Sequence, residues 1–283
     1  MRLSCRSNCE FSAMSLTLDA RQRAMLAEMG VRDWAPEVQI PAQAVSAPIA
    51  IELAEPPRVE PLAVKPVLAD ARRPQGVAQM DWALLQSAVA ECQACDLCKT
   101  RQRTVFGVGA SAPEGQAPQV DWLIVGEAPG ENEDRQGEPF VGQAGKLLDN
   151  MLRSCGLSRT APATQGGGVY IVNVLKCRPP GNRNPRPEEV AQCEPFLQRQ
   201  VQLLRPKIII AMGRFAVQSL LQGSVPQIES QPLGKLRGKV YHYHGVPVVV
   251  TYHPAYLLRS LAEKAKAWAD LCLAMAQLNR PAS

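Results

Sequence analysis

The sequence contains no continuous apolar run that approaches the ~20 residues needed to cross a bilayer, and this excludes a membrane-spanning helix. Its opening stretch, MRLSCRSNCEFSAM, has no continuous apolar segment, so we expect no secretory signal and a cytoplasmic protein. Thiols stay reduced in that compartment, and the nine cysteines therefore indicate metal binding or catalysis rather than disulfides. The net charge of +5 is compatible with a polyanionic partner but does not demonstrate one.

Residues 1–78 differ in composition from the rest of the chain. The stretch 35–78 is rich in proline, alanine and valine, and proline at this density opposes both helix and sheet. We expect residues 1–78 to be an N-terminal extension with a disordered linker and one short amphipathic helix over 18–30, which could dock an unknown protein partner. Met14 is an alternative start, which would leave the first two cysteines outside the natural protein.

The remaining residues, 79–283, alternate apolar strand segments with helical segments. Four apolar segments predict buried strands: WLIVGE (122–127), VYIVNVLK (169–176), KIIIAMG (207–213) and VPVVVTYH (246–253). Helical patterns cover about 80–91, 142–155, 187–204, 213–222 and 261–279. This alternation predicts an α/β fold, a three-layer α/β/α sandwich around a mainly parallel four-stranded sheet. The segment KVYHYHG (239–245) predicts an antiparallel arm before the last strand.

Two pairs of cysteines have the character of metal ligands. Cys92 and Cys95 form a CxxC pair at the end of a predicted helix, and Cys177 and Cys193 flank a proline-rich loop. Four such thiolates suit a zinc ion or an iron–sulfur cluster, and spacing alone does not separate the two. Cys98 is a further early thiol that could compete as a ligand.

Ligands of open α/β sheets bind beyond the carboxyl ends of the strands, where this sequence places several polar or aromatic residues. Glu127 follows the first strand in the loop GEAPG, and Phe140 lies in a glycine-rich loop where it could stack on a flat ligand. Asn173 lies in an apolar strand, where a buried amide must be hydrogen-bonded and offers both a donor and an acceptor. His253 ends the last strand and is a candidate catalytic group, although each of these residues could instead be structural.

Several motifs together resemble one known family. They are CQAC (92–95), TVFGVG (104–109), GEAPGENED (126–134), PFVGQAGKLLDNML (139–152), NVLKCRPPGNRNPRPEE (173–189) with Cys193, and HPAYLLR (253–259). In order and spacing they resemble the family 4 (type A) uracil-DNA glycosylases, the iron–sulfur members of the uracil-DNA glycosylase superfamily. The resemblance covers about residues 90–279 and leaves residues 1–78 unmatched.

This resemblance implies a DNA repair enzyme that hydrolyses the N-glycosidic bond of uracil in DNA and leaves an abasic site. The implied ligands of a [4Fe–4S] cluster are Cys92, Cys95, Cys177 and Cys193, with Cys98 outside the set. The implied catalytic pair is Glu127 and His253. The implied substrate-binding residues are Ala128, Glu133, Phe140 and Asn173. We expect a monomer that acts on uracil-containing DNA, single- or double-stranded.

A base in a duplex must be flipped out before an enzyme can act on it, and a side chain must then fill the space that the base leaves in the stack. Leu257 and Leu258 could serve as apolar wedges, or they could pack inward at the start of the terminal helix. Arg259 would then contact phosphate.

Two other functions remain open on the residues alone. One is a DNA-binding iron–sulfur module without glycosylase activity, which would make Glu127 and His253 incidental. The other is a zinc-stabilised enzyme that uses the GEAPG loop as a phosphate cradle, although the acidic residues that follow this loop would repel phosphate.

Overall fold

The computed structural model describes residues 74–161 and 168–279. These residues belong to the second of the two units into which the chain divides. The predicted helix over 18–30 and most of the predicted linker lie outside the described residues. Val77, two residues before the predicted boundary at residue 79, is buried against the core of the described domain. No described helix is long and apolar enough to cross a membrane.

A six-stranded sheet forms the middle layer of the described domain. Its strands are β1 (Val108–Gly109), β2 (Trp122–Gly126), β3 (Val169–Asn173), β4 (Ile208–Met212), β5 (Val240–Tyr243) and β6 (Val246–Thr251). They lie in the order β1-β3-β2-β4-β6-β5 across the sheet. The four central strands are parallel, whereas β1 and β5 run antiparallel to their neighbours at the two edges.

The predicted parallel strands and the antiparallel arm are therefore confirmed, and the predicted strand count of four is wrong. β1 was missed because a two-residue strand, Val108–Gly109, is too short to show a hydrophobic period. β5 was predicted as an arm of the last strand but was not counted in the sheet.

Helices surround this sheet. In the described part of the chain they are α1 (Trp82–Glu91), α2 (Glu131–Gln136), α3 (Gln143–Ser154), α4 (Pro187–Leu204), α5 (Arg214–Leu221), α6 (Leu233–Leu236), α7 (Pro254–Arg259) and α8 (Lys264–Leu278). The predicted helical segments correspond to α1, α3, α4, α5 and α8. Pro254 begins the short α7, which the sequence analysis did not predict as a separate helix.

Both faces of the sheet are buried. Because successive strand residues point to opposite faces, β2 sends Leu123 and Val125 into one apolar cluster and Ile124 into the other. The first cluster includes residues of α1, α4 and α5, and the second includes residues of α3 and α8. This arrangement confirms the predicted three-layer α/β/α sandwich. It also leaves the carboxyl edge of the parallel strands open for a site.

Candidate active site

A cavity of about 490 Å³ opens at the carboxyl edge of the sheet. Its lining includes seven of the predicted site residues: Glu127, Ala128, Glu133, Phe140, Asn173, His253 and Arg259. Sequence reasoning missed several others: Pro179, Asn182, Arg183 and Tyr256. All four lie inside the quoted motifs, so their presence in those motifs was the signal available.

The floor of the cavity continues the hydrogen-bond ladder of the sheet. Gly126 is opposite Asn173 in the parallel pairing of β2 with β3. Beyond the strands, the N–H of Val174 donates to the carbonyl of Gly126 at 3.0 Å, and the N–H of Leu175 donates to the carbonyl of Glu127 at 3.1 Å. The ladder therefore fixes Glu127 and Asn173 on neighbouring strand ends.

Gly126 allows the Phe140 ring and the Asn173 amide to meet at this floor. A Cβ atom on Gly126 would overlap the side-chain oxygen of Asn173 and would lie 2.7 Å from two ring carbons of Phe140. Only glycine permits so close an approach. Asn173 is 2% exposed and is among the residues that line the cavity.

Phe140 lies in a strained loop that two side chains hold in place. Its φ of 55° is in the left-handed region, which a bulky residue rarely adopts. The Glu133 carboxylate accepts hydrogen bonds from the N–H groups of Val141 at 3.0 Å and Gly142 at 3.1 Å. Arg159 donates to the carbonyl of the residue before Phe140 at 3.0 Å. Strain of this kind, held by surrounding contacts, is typical of functional sites.

His253 is held as a neutral imidazole with one free donor. Its Nδ1 accepts a hydrogen bond from the N–H of Ala255 at 3.1 Å, so the ring proton of the neutral form must be on Nε2. Burial, together with the charge of Arg259, lowers the pKa of His253 to about 4, although Glu133 acts in the opposite direction. The ring stacks against Phe140, with 5.4 Å between ring centroids and 27° between planes.

Burial shifts the pKa of Glu127 in the opposite direction to that of His253, because it disfavours the charged form of both groups. Burial of the Glu127 carboxyl group raises its pKa to about 7. At neutral pH the cavity therefore contains a carboxyl group close to its titration midpoint and an imidazole that stays neutral. Titratable groups whose pKa values are shifted in a cleft are candidates for acid–base or electrostatic catalysis.

Helix α7 turns the two predicted wedge leucines in different directions. Leu257 is 1% exposed and packs inward, whereas Leu258 is 42% exposed. Neighbouring residues on a helix point about 100° apart, so both leucines could not face the same surface. The hypothesis that Leu257 contacts DNA is corrected by this burial, and Leu258 alone of the pair is available.

The loop between Cys177 and Cys193 forms one wall of the cavity. Arg183 in this loop pairs with the Glu189 carboxylate through two hydrogen bonds of 3.0 Å and 2.5 Å. Burial acts to raise the pKa of Glu189, but Arg183 and Arg186 hold it below its usual range. The bidentate pair therefore fixes the loop against the first turn of α4.

A second cavity has five cysteines among its lining residues. The cysteines around it are Cys92, Cys95, Cys98, Cys177 and Cys193. Of these, Cys92, Cys177 and Cys193 are buried and the other two are partly exposed. Within residues 74–161 and 168–279, no group of three or more His, Cys, Asp or Glu side chains is arranged to hold a metal ion.

Hydrogen-bond donors point at the sulfurs of this second cavity. The guanidinium of Arg101 donates to Cys177 Sγ at 3.1 Å, and the main-chain N–H of Lys176 donates to the Cys193 sulfur. Burial raises the pKa of the Cys177 thiol to about 11, while Arg101 acts to lower it. Donors to sulfur stabilise thiolates, which are the form that binds metal. The cysteines of this cavity, two of which accept hydrogen bonds at sulfur, therefore have the chemistry of thiolate ligands to a metal.

Comparisons with known proteins agree on one family. Residues 112–272 match the family description "Uracil DNA glycosylase superfamily". The type-4 uracil-DNA glycosylase of Archaeoglobus fulgidus is 45% identical over 174 residues, which are 60% of this chain and 79% of that protein. The type-4 uracil-DNA glycosylase of Thermotoga maritima is 40% identical over 182 residues, 62% of this chain and 83% of its own length. That of Pyrobaculum aerophilum is 39% identical over 198 residues, 69% of this chain and 93% of its own length.

Proposed function

The chain belongs to the uracil DNA glycosylase superfamily, in its type-4 branch, and we propose that its cavity hydrolyses the bond between uracil and deoxyribose in DNA. The observation that carries this proposal is the meeting of Glu127, Phe140, Asn173 and His253 around one cavity. The product is an abasic site, so the enzyme starts base excision repair.

Recognition of uracil requires an extrahelical base, because the reacting bond is inaccessible within a stacked duplex. The Phe140 ring offers a flat surface on which the base can stack. Asn173 offers one donor and one acceptor to the edge of uracil. Cytosine presents the opposite donor pattern at that edge, and it would leave buried polar groups unpaired, which disfavours its binding.

The reaction breaks the bond between C1′ of the sugar and N1 of uracil, and the electron pair leaves with the base. Negative charge then develops on the carbonyl oxygens of the departing uracil, where the Nε2–H of His253 can donate a hydrogen bond. Positive character develops on the sugar, and the ionised Glu127 can stabilise it or orient the water that adds to C1′. Two residues thus oppose the two charges that exist only in the transition state.

The DNA strand leads out of the cavity past α7. Leu258 is exposed there and is apolar, so it can occupy the gap that the flipped base leaves. Arg259 lines the cavity mouth and can contact a phosphate beside the flipped nucleotide.

We propose that Cys92, Cys95, Cys177 and Cys193 hold a [4Fe–4S] cluster. The donors to the Cys177 and Cys193 sulfurs support this assignment. Bound there, the cluster would supply a covalent tie between α1, α4 and the loop that walls the uracil cavity, and the hydrolysis needs no electron transfer. Cys98 lines the same cavity and stays outside the proposed ligand set.

The test of the activity is release of uracil from a labelled, uracil-containing oligonucleotide, followed by alkaline cleavage at the abasic site. We expect the wild-type protein to cleave, and a Glu127→Ala, His253→Ala double variant to be folded, equally coloured and nearly inactive. Intact oligonucleotide with well-folded wild-type protein would contradict the proposal and favour a DNA-binding module without glycosylase activity.

We expect Gly126→Ala to lower kcat/KM at least about a hundredfold, because a displacement of about 1 Å in a catalytic site has an effect of that size. The added methyl must push aside the Phe140 ring or the Asn173 amide. The measurement is single-turnover excision together with thermal unfolding. Gly223→Ala is the matched control, since a Cβ there meets open space. Excision by Gly126→Ala at the wild-type rate would show that the cavity floor is not where uracil binds.

A further inference from the structure

Tyr256 lines the uracil cavity but takes no part in the chemistry described above. It lies on α7, three residues after His253, and its side chain is 38% exposed. Large apolar side chains with this degree of exposure are few in residues 74–161 and 168–279, and three of the four follow His253 closely. These three are Tyr256, Leu258 and Leu261.

The Tyr256 ring packs against the Tyr252 ring, which in turn contacts Arg237. Its centroid lies 5.0 Å from that of the Tyr252 ring, with 42° between the planes. The guanidinium carbon of Arg237 lies 4.5 Å from the centroid of the Tyr252 ring. Arg237 in turn pairs with Asp270 at 2.7 Å, and both side chains are 10% exposed or less. The exposed ring is therefore already ordered in the free protein, so little conformational entropy is lost when a partner contacts it.

We infer that Tyr256 is a stacking surface for the nucleobase that neighbours the flipped uracil. This inference rests on the proposed function, because it places uracil in the adjacent cavity. Flipping one nucleotide removes a stacking partner from its neighbour, and the neighbour then exposes a flat face at the cavity mouth. Aromatic side chains bind such faces in proteins that hold single-stranded nucleic acid, with little regard to sequence.

The positive charge of Arg259, close to Tyr256 on the same helix, also suits a DNA strand as the partner. Arg259 lies three residues further along α7, lines the cavity mouth and makes no ion pair with any residue that the structure describes. An uncompensated cation beside an exposed ring is the combination that binds a phosphate and the base attached to it. A segment of DNA strand, held by its backbone at Arg259 and by one base at Tyr256, therefore fits this rim.

The inference is tested by varying the residue and the neighbouring base together. Wild-type protein, Tyr256→Leu and Tyr256→Phe are compared on two single-stranded oligonucleotides. In one, uracil is flanked by adenines, and in the other both flanking bases are replaced by tetrahydrofuran spacers. On the first substrate we expect Tyr256→Leu to raise KM about tenfold with little change in kcat, and Tyr256→Phe to behave like the wild type. On the second substrate all three proteins should have the same KM.

An equal loss by Tyr256→Leu on both oligonucleotides would overturn the inference, because the ring would then contact the uracil nucleotide or only support the fold. Equal KM values for the three proteins on the first substrate would overturn it as well. Failure of the proposed function gives a different result, namely no uracil release by the wild-type protein from either oligonucleotide.

Fluorescence provides a reading that a structural role would not change. The probe is an oligonucleotide with 2-aminopurine beside a 2′-fluorinated deoxyuridine, whose fluorine slows cleavage of the glycosidic bond. Stacking quenches 2-aminopurine, so we expect the bound probe to be dimmer with the wild type and with Tyr256→Phe than with Tyr256→Leu. Equal brightness with all three proteins, with the probe placed in turn on each side of the uracil, would contradict a stacking contact.

Discussion

Uracil excision should slow about tenfold for each pH unit below about 7 and should level off above that value. Glu127 must be ionised to oppose positive charge on the sugar or to activate water. Burial raises its pKa from 4.5 to about 7, so its proton is lost only as the pH rises through neutrality. Titration of His253 should not affect the rate in this pH range, because its pKa is lowered to about 4 and the neutral ring is the form that donates the hydrogen bond.

The measurement is the single-turnover rate between about pH 5 and about pH 8 on one single-stranded uracil oligonucleotide. The matched control is Glu127→Gln, which keeps the shape of the side chain and cannot ionise. Its rate should be lower by about 10²–10⁴-fold and independent of pH. A rate that instead falls as the pH rises through neutrality would assign the titrating group to a cationic His253 and would reverse the proposed roles.

With the proposed ligand set, replacing Cys177 by serine should yield protein without iron and should abolish excision. The side chain is 4% exposed and begins the loop whose residues Pro179, Asn182 and Arg183 wall the uracil cavity. Loss of one ligand would free that wall, and we expect the free energy of unfolding to fall by about 2–5 kcal/mol, as when a native cross-link is removed. The measurements are iron and sulfide content, visible absorption and denaturant unfolding of the purified protein.

Two other cysteines provide matched controls for this experiment. Cys98→Ser alters a thiol in the same cavity, and Cys155→Ser alters a thiol at the end of α3. Both variants should retain iron and activity. Loss of iron in Cys98→Ser would place Cys98 in the ligand set. Zinc in the wild-type protein, without iron or sulfide, would exclude the proposed cluster.

The central strands could be predicted from the sequence because each is buried on both faces and therefore forms one short apolar run. The edge strand β1 could not, since two residues carry no period. Glu127, Phe140, Asn173 and His253 were candidates because each is a polar or aromatic group at a strand end, within an apolar strand or in a glycine-rich loop, whereas Ala128 and Glu133 were implied only by the family resemblance. Asn173 in an apolar strand is the clearest example.

Contacts between distant segments could not be inferred in this way. Arg159 is 20 residues from the carbonyl that it holds beside Phe140, and Arg237 is 33 residues from Asp270. No local pattern marks such a pair, because only the folded chain brings the two groups together. The sequence also could not show whether Leu257 packs inward or faces solvent, because a six-residue helix is too short for its hydrophobic pattern to reveal the buried face.

The ladder bonds that join the backbone at Gly126 and Glu127 to Val174 and Leu175 have a consequence for substrate selection. A site built on loops can adapt its shape to a ligand, but this floor can move only if neighbouring strands of the sheet separate. The floor therefore offers uracil a nearly fixed template, so the conformational change that brings the base to it must occur largely in the DNA. Uracils that already spend more time outside the helix, at mismatches, strand ends or single-stranded gaps, should for that reason be excised first.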